Sequence, residues 1–179
     1  APRPRPEQRN PQSASPPDAG RRRRMPPPGE PSMESISTYM QHDHVEIDGI
    51  AERAAADAGA GDTDAMAREA ALFLQRLEQH IDMEERVLFP AFEERTGMRE
   101  AGPSVQMREE HVQMRPILDT MRAAMAAADG QSWQRGSQAL LEILVPHNAK
   151  EEQMMYPMLD DAMGPDAAAL LIDVKAMAA

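Results

Sequence analysis

The segment HIDMEERVLFP, His80 to Pro90, returns 67 residues later as HNAKEEQMMYP, His147 to Pro157. No other feature constrains the fold as much, because a repeated sequence unit implies a repeated structural unit. Laying one copy on the other pairs His80 with His147, Glu84 with Glu151, Glu85 with Glu152, Phe89 with Tyr156 and Pro90 with Pro157. The acidic pair Glu93 and Glu94 falls on Asp160 and Asp161. The same offset holds upstream, where Phe73, Leu74 and Leu77 meet Leu140, Leu141 and Leu144, and Asp43, His44, Val45 and Ile50 meet Glu110, His111, Val112 and Ile117. The chain from residue 35 to 162 therefore reads as two related halves, each with one His and, 36 residues on, an H-x-x-x-E.

From Ser32 onward apolar residues recur at intervals of three and four, and no stretch alternates as a strand would. The first helix is expected from Met33 to Ala56, with Ser32 as N-cap and Ile36, Met40, His44, Ile47 and Ala51 on one stripe, ended by Gly59 and Gly61. The second opens at Asp62 or Thr63, carries Phe73, Leu77, His80, Glu84 and Leu88 on one face, and closes near Gly97. Pro90 is expected to kink its last turn. The third runs from Pro103 and Ser104 past Pro116 to Gly130, and the fourth from Ser132 to the Gly164-Pro165 stop. Asp166 is expected to cap a short fifth. The fold class is thus all-α, an up-down antiparallel four-helix bundle with a short C-terminal fifth helix. Residues 1–31 include ten Pro and the run Arg21 to Arg24, with almost nothing to bury. They are expected to form a disordered Pro/Arg-rich tail, leaving 32–179 as the bundle.

Composition narrows the chemistry. There is no Cys, which excludes thiolate ligation and Cys nucleophiles and leaves nitrogen and oxygen donors. The net charge is -11 overall, and beyond the tail 12 basic residues face 27 acidic ones. Such a body is not expected to bind nucleic acid. No apolar run approaches a membrane span and nothing resembles a signal peptide, so the expected location is the cytosol, with no membrane partner.

Residues four apart on a helix lie on one face, so His80 with Glu84, and His147 with Glu151, each point an imidazole and a carboxylate the same way. That face is apolar, and a carboxylate buried there needs a partner, since leaving it unpaired costs several kcal/mol. Metal ions would supply one. Four His and two Glu from four inward faces suffice for two ions, if each takes two His and the carboxylates bridge. Imidazole and carboxylate without sulfur suit iron, manganese or zinc. Asp43 and Glu110, each preceding a His of the set, are candidates for orienting imidazoles. His42 lies about 160° round the helix from His44 and is expected to be exposed. The fifteen Met, with Tyr39, Tyr156 and Trp133, read as core residues.

Together, QHDH at 41–44, H-x-x-x-E-E-x-x-L-F-P at 80–90, E-E-H at 109–111 and H-x-x-x-E-E-x-x-x-Y-P at 147–157 resemble the hemerythrin-like, or HHE cation-binding, domains. The resemblance covers about residues 35 to 162. It implies a four-helix bundle with a non-haem di-iron centre on His44, His80, Glu84, His111, His147 and Glu151, the two Glu bridging. It departs from the oxygen carriers at Arg115, where those proteins have a further His, and at Glu151, where Asp is usual. The four-His, two-Glu set is closer to bacterial di-iron proteins linked to nitric oxide and oxidative stress, including iron-sulfur repair proteins, whose Cys-bearing N-terminal segment has no counterpart in a chain without Cys. The implied partner is a small diatomic, O2 or NO, or peroxide, bound or reacted with in sensing, scavenging or iron handling. Alternatives are a catalase-like peroxidase and a structural or regulatory module stabilised by its metal.

Overall fold

In this computed structural model the residues described are 34–178, so the disorder expected for 1–31 and the cap expected at Ser32 lie outside the described residues. Helix α1 spans Ile36–Ala60, α2 Thr63–Met83, α3 Phe89–Thr96, α4 Pro103–Ala126, α5 Gly130–Lys150, α6 Tyr156–Met163 and α7 Ala167–Met177. No strand occurs among the described residues, and no helix there is long and apolar enough to cross a membrane.

Helices α2 and α3 are one continuous rod, joined by a π-helical turn at Glu84–Leu88; α5 and α6 are joined in the same way by a π turn at Glu151–Met155. The turn before Pro90, where a kink is expected, is widened in this way. Proline has no N–H and its ring crowds the carbonyl four residues back, so a wider turn before Pro90 and Pro157 accommodates both within a continuing helix.

The ends of the elements follow side-chain chemistry that spacing alone locates only approximately. Ser35 caps α1, its hydroxyl accepting from the Thr38 N–H at 3.0 Å. From α6, Asp160 accepts from the Ile36 and Ser37 N–H groups at 2.9 and 3.1 Å and from the Ser37 hydroxyl at 2.5 Å. Gly59 lies inside α1, contrary to expectation, and Gly61, left-handed at φ 75°, ends it. At the other connection α4 stops at Ala126, short of Gly130, because the Asp129 carboxylate accepts from the Ser132 N–H and starts α5 at Gly130. Asp166 precedes α7 without a side-chain cap; its carboxylate accepts from Arg95 at 2.5 Å instead.

The four long helices pack in a ring: α1 on α2, α2 on α4, α4 on α5 and α5 on α1. Close approach of α4 and α5 uses Gly136, where a Cβ would lie 2.5 Å from Met121 Cγ. The interior holds two apolar clusters. One is built on Ile47, Phe73, Leu77, Met114, Trp133 and Leu144, the other on Ile36, Met40, Phe89, Phe92, Met107 and Leu159. Buried methionines occupy both, as filler of a helical core. Trp133 and Tyr156 are buried and Tyr39 is half-buried.

Candidate metal centre

Every long helix places one imidazole at the junction of these clusters, and the π turns after α2 and α5 add one carboxylate each. On α1, His44 stands between Met40 of one cluster and Ile47 of the other; on α4, His111 stands between Met107 and Met114. On α2, His80 follows Leu77, and Glu84 opens the π turn one residue past Met83; on α5, His147 follows Leu144, and Glu151 stands four residues before Met155. The result is a buried polar layer between two apolar ones. It contains all six residues singled out in the sequence, with Glu84 and Glu151 at 0 % exposure. The His42 side chain is 72 % exposed, as expected.

The imidazoles are paired and oriented. His44 Nε2 lies 3.0 Å from His80 Nε2, and His111 Nε2 lies 3.1 Å from His147 Nε2. Each Nδ1 turns outward to a carboxylate: His80 to Asp43 at 2.8 Å, His147 to Glu110 at 2.8 Å, His44 to Glu152 at 2.8 Å and His111 to Glu85 at 3.0 Å. An ionised carboxylate only accepts, so we assign the hydrogen to each Nδ1, which leaves the Nε2 lone pairs facing inward. Asp43 and Glu110 therefore orient the H-x-x-x-E histidine of their own half. Glu85 and Glu152, which received no role from the sequence, orient a histidine of the opposite half. An outer ring of cations holds three of these acids: Arg76 on Asp43 at 2.5 Å, Arg115 on Glu85 at 2.8 Å and Lys150 on Glu110.

The two inner carboxylates differ. Glu151 presents Oε1 to His147 Nε2 at 3.0 Å and Oε2 to His44 Nε2 at 3.3 Å. Glu84 presents a single oxygen, Oε2, to His111 at 3.3 Å and His80 at 3.7 Å, while its Oε1 accepts from the Tyr156 hydroxyl at 2.7 Å. That hydroxyl also lies 3.1 Å from Glu151 Oε2. Tyr156, expected as core, thus reaches the centre.

Electrostatics reflect the enclosed charge. Burial would lower the His44 pKa, but Glu151, Glu152 and Glu84 outweigh it and raise it to about 9. His147 is likewise raised against burial, chiefly by Glu151 and Glu84. Burial would raise Glu151, yet His147 and His44 hold its carboxylate well below the usual range. Asp43 is lowered because His80 and Arg76 overcome its burial. Burial, with Glu151 and Glu84 adjoining, pushes the Tyr156 phenol far up.

These donors fit metal ions. Glu84 Oε2 and Glu151 Oε1 are buried with no hydrogen-bond donor, although each faces imidazole nitrogens. Imidazole nitrogens facing each other across 3.0 to 3.1 Å also need a positive charge between them, a proton in the metal-free protein or a metal ion in its place. The donor atoms form two groups, each with its atoms within 4.8 Å of one another: His44, His80 and Glu151 in one, and Glu84, His111, His147 and Glu151 in the other.

Comparison with known proteins agrees with this geometry. The family profile described as the hemerythrin HHE cation binding domain matches residues 35–159. No curated protein and no solved structure matches the chain.

Proposed function

This chain belongs to the hemerythrin HHE cation-binding domain family, and from that premise we propose that its buried His/Glu layer holds two iron ions that bind or react with O2, NO or peroxide. The observation carrying the reading is the two inward-facing imidazole pairs together with two buried carboxylate oxygens, Glu84 Oε2 and Glu151 Oε1, that face imidazole nitrogens and lack a donor. His44, His80 and Glu151 would hold one ion, and His111, His147, Glu84 and Glu151 the other. Glu151 presents one oxygen toward each imidazole pair and would be shared between the two ions. Bound iron supplies redox chemistry with small oxidants; manganese and zinc are also compatible with the donors.

The protein's own residues do the rest. Asp43, Glu110, Glu85 and Glu152 fix the imidazole tautomers and ring orientations, which keeps the Nε2 atoms available as ligands. The apolar clusters above and below exclude bulk water and large substrates, which favours a diatomic or peroxide as partner. An up-down antiparallel order of the four long helices suits the short connections, and it brings the α1 start to Asp160 of α6 and the α1 end beside Gly130 of α5. Sensing, scavenging and stress-linked iron handling are the roles such a centre serves.

Anaerobic reconstitution followed by metal analysis and azide titration tests the reading. We expect two irons per chain and new visible charge-transfer bands with azide. Protein that retains no iron, or a centre on which azide changes nothing, refutes it.

A further inference from the structure

The duplication also relates two surface grooves, one where α1 meets α5 and one where α2 meets α4. The α1/α5 groove, about 270 Å³, has Asp48 and Glu52 on its α1 wall, Leu141 and Val145 on its α5 wall, and Phe73 and Trp133 among its lining. At the 67-residue offset Asp48, Glu52 and Val145 fall on Arg115, Asp119 and Glu78, which line the α2/α4 groove. The two grooves share their place in the repeat but not their chemistry. In the α2/α4 groove every acid has a cation: Glu78 and Asp119 accept from Arg122 and Asp82 from Arg86, while Arg115 donates to Glu85 at 2.8 Å. In the other half the counterpart of Glu85 is Glu152 and the counterpart of Arg115 is Asp48, so an acid stands where a guanidinium is matched to it. Among the described residues no Arg or Lys pairs with Asp48, Glu52 or Glu152; Glu152 meets only the imidazole of His44. The Asp48 carboxyl is pushed up, by partial burial first and by Glu52 and Glu152 nearby, against the pull of His44. Beside these acids Leu141 and Val145 are 45 % and 61 % exposed.

We propose that the α1/α5 groove docks a partner protein through one arginine flanked by apolar residues, its guanidinium against Asp48 and Glu152 and its apolar neighbours against Leu141 and Val145. The occupant follows from the chemistry of the groove. A planar guanidinium pairs with carboxylates through several donors at once, as Arg115 does in the other half. The space beside it is apolar, and it falls below the roughly 300–1,000 Å³ of pockets that enclose drug-sized molecules, so it suits side chains of a peptide segment. A second copy of the bundle would bring another strongly acidic surface to these acids, and like charges facing each other are disfavoured. One acid pair beside an apolar groove also calls for a single arginine among apolar residues, unlike the run Arg21 to Arg24. None of the six candidate metal ligands belongs to this surface.

Calorimetric titration of the full chain with acetyl-Arg-Leu-Leu-Leu-amide and acetyl-Leu-Leu-Leu-Arg-amide tests this, since the two peptides present the same groups in both chain directions. The emission of Trp133, the sole tryptophan, reports on the groove it lines. At least one peptide should bind and shift that emission. Replacing its arginine by uncharged citrulline should weaken binding by about tenfold or more, the equivalent of one charge-assisted hydrogen bond. Asp48→Arg, which copies Arg115 into the second half, should abolish binding by supplying the cation from within. Leu141→Gln with Val145→Gln, both at exposed positions, should weaken it with bound metal unchanged. No binding by either peptide up to about 1 mM overturns the proposal, as does equal binding of the citrulline form or unchanged binding in Asp48→Arg. A dimer in sedimentation that Asp48→Arg dissociates assigns the groove to a second copy and overturns the partner reading. Binding seen only after Arg21 to Arg24 are replaced by Ser means that this run competes for the surface, and overturns it too. All of these outcomes leave the two-ion reading intact, because no candidate metal ligand is changed.

Discussion

The four outer carboxylates set how firmly the inner imidazoles are held. Asp43 accepts from His80 and is itself held by Arg76, so removing it frees an imidazole to rotate and to change tautomer. Asp43→Ala is expected to lower metal affinity by about 10- to 100-fold, measured by competition with a chelator, and Glu110→Ala, acting through His147, should do the same. Protonation gives a second residue-level consequence. The His44 pKa is raised from 6.5 to about 9 in the folded metal-free protein, so its stabilising contribution is fully present below pH 6.5 and is lost as pH rises through about 9. The metal-free melting temperature should therefore fall across that interval. Metal affinity should rise over the same range, because the ion displaces the proton; calorimetry in buffers of different ionisation enthalpy would read the release.

Among the elements, the start of α1 depends most on a distant group. Asp160 accepts from two backbone N–H groups and one hydroxyl of α1, tying α6 to it. Asp160→Ala is expected to cost about 1–2 kcal/mol by denaturant unfolding, without removing a metal ligand. The elements also explain which residues could be read from sequence. His44, His80, Glu84, His111, His147 and Glu151 were legible because they lie on apolar stripes at three- and four-residue spacing and recur at one offset. Glu85 and Glu152 were not, since five residues past a His turns a side chain about 140° away on a straight helix. Their partners are on neighbouring helices, which spacing along one helix cannot reveal. Tyr156 is five residues past Glu151 and would point away too, but the π turn between them rotates it inward. The signal lay in Pro90 and Pro157, which recur after each H-x-x-x-E and are each preceded by a π turn.

At the scale of the whole molecule, the polar layer sits between two apolar clusters that together form the core, so metal and fold are coupled. Removing the metal should lower the melting temperature. At free metal a hundredfold above Kd the ion contributes about 2.7 kcal/mol, which corresponds to roughly 5–10 °C for a chain of this size. Scanning calorimetry with and without chelator checks this, and equal melting temperatures would contradict it. The way the acids cross between halves reaches further. Glu151 serves His44 and His80, Glu84 serves His111, and Glu85 and Glu152 each orient an imidazole of the other half. Neither half alone possesses a complete pocket. The molecule is in effect a covalent dimer of two half-sized units, and cutting the exposed 97–102 connection would yield two fragments that bind metal only when mixed.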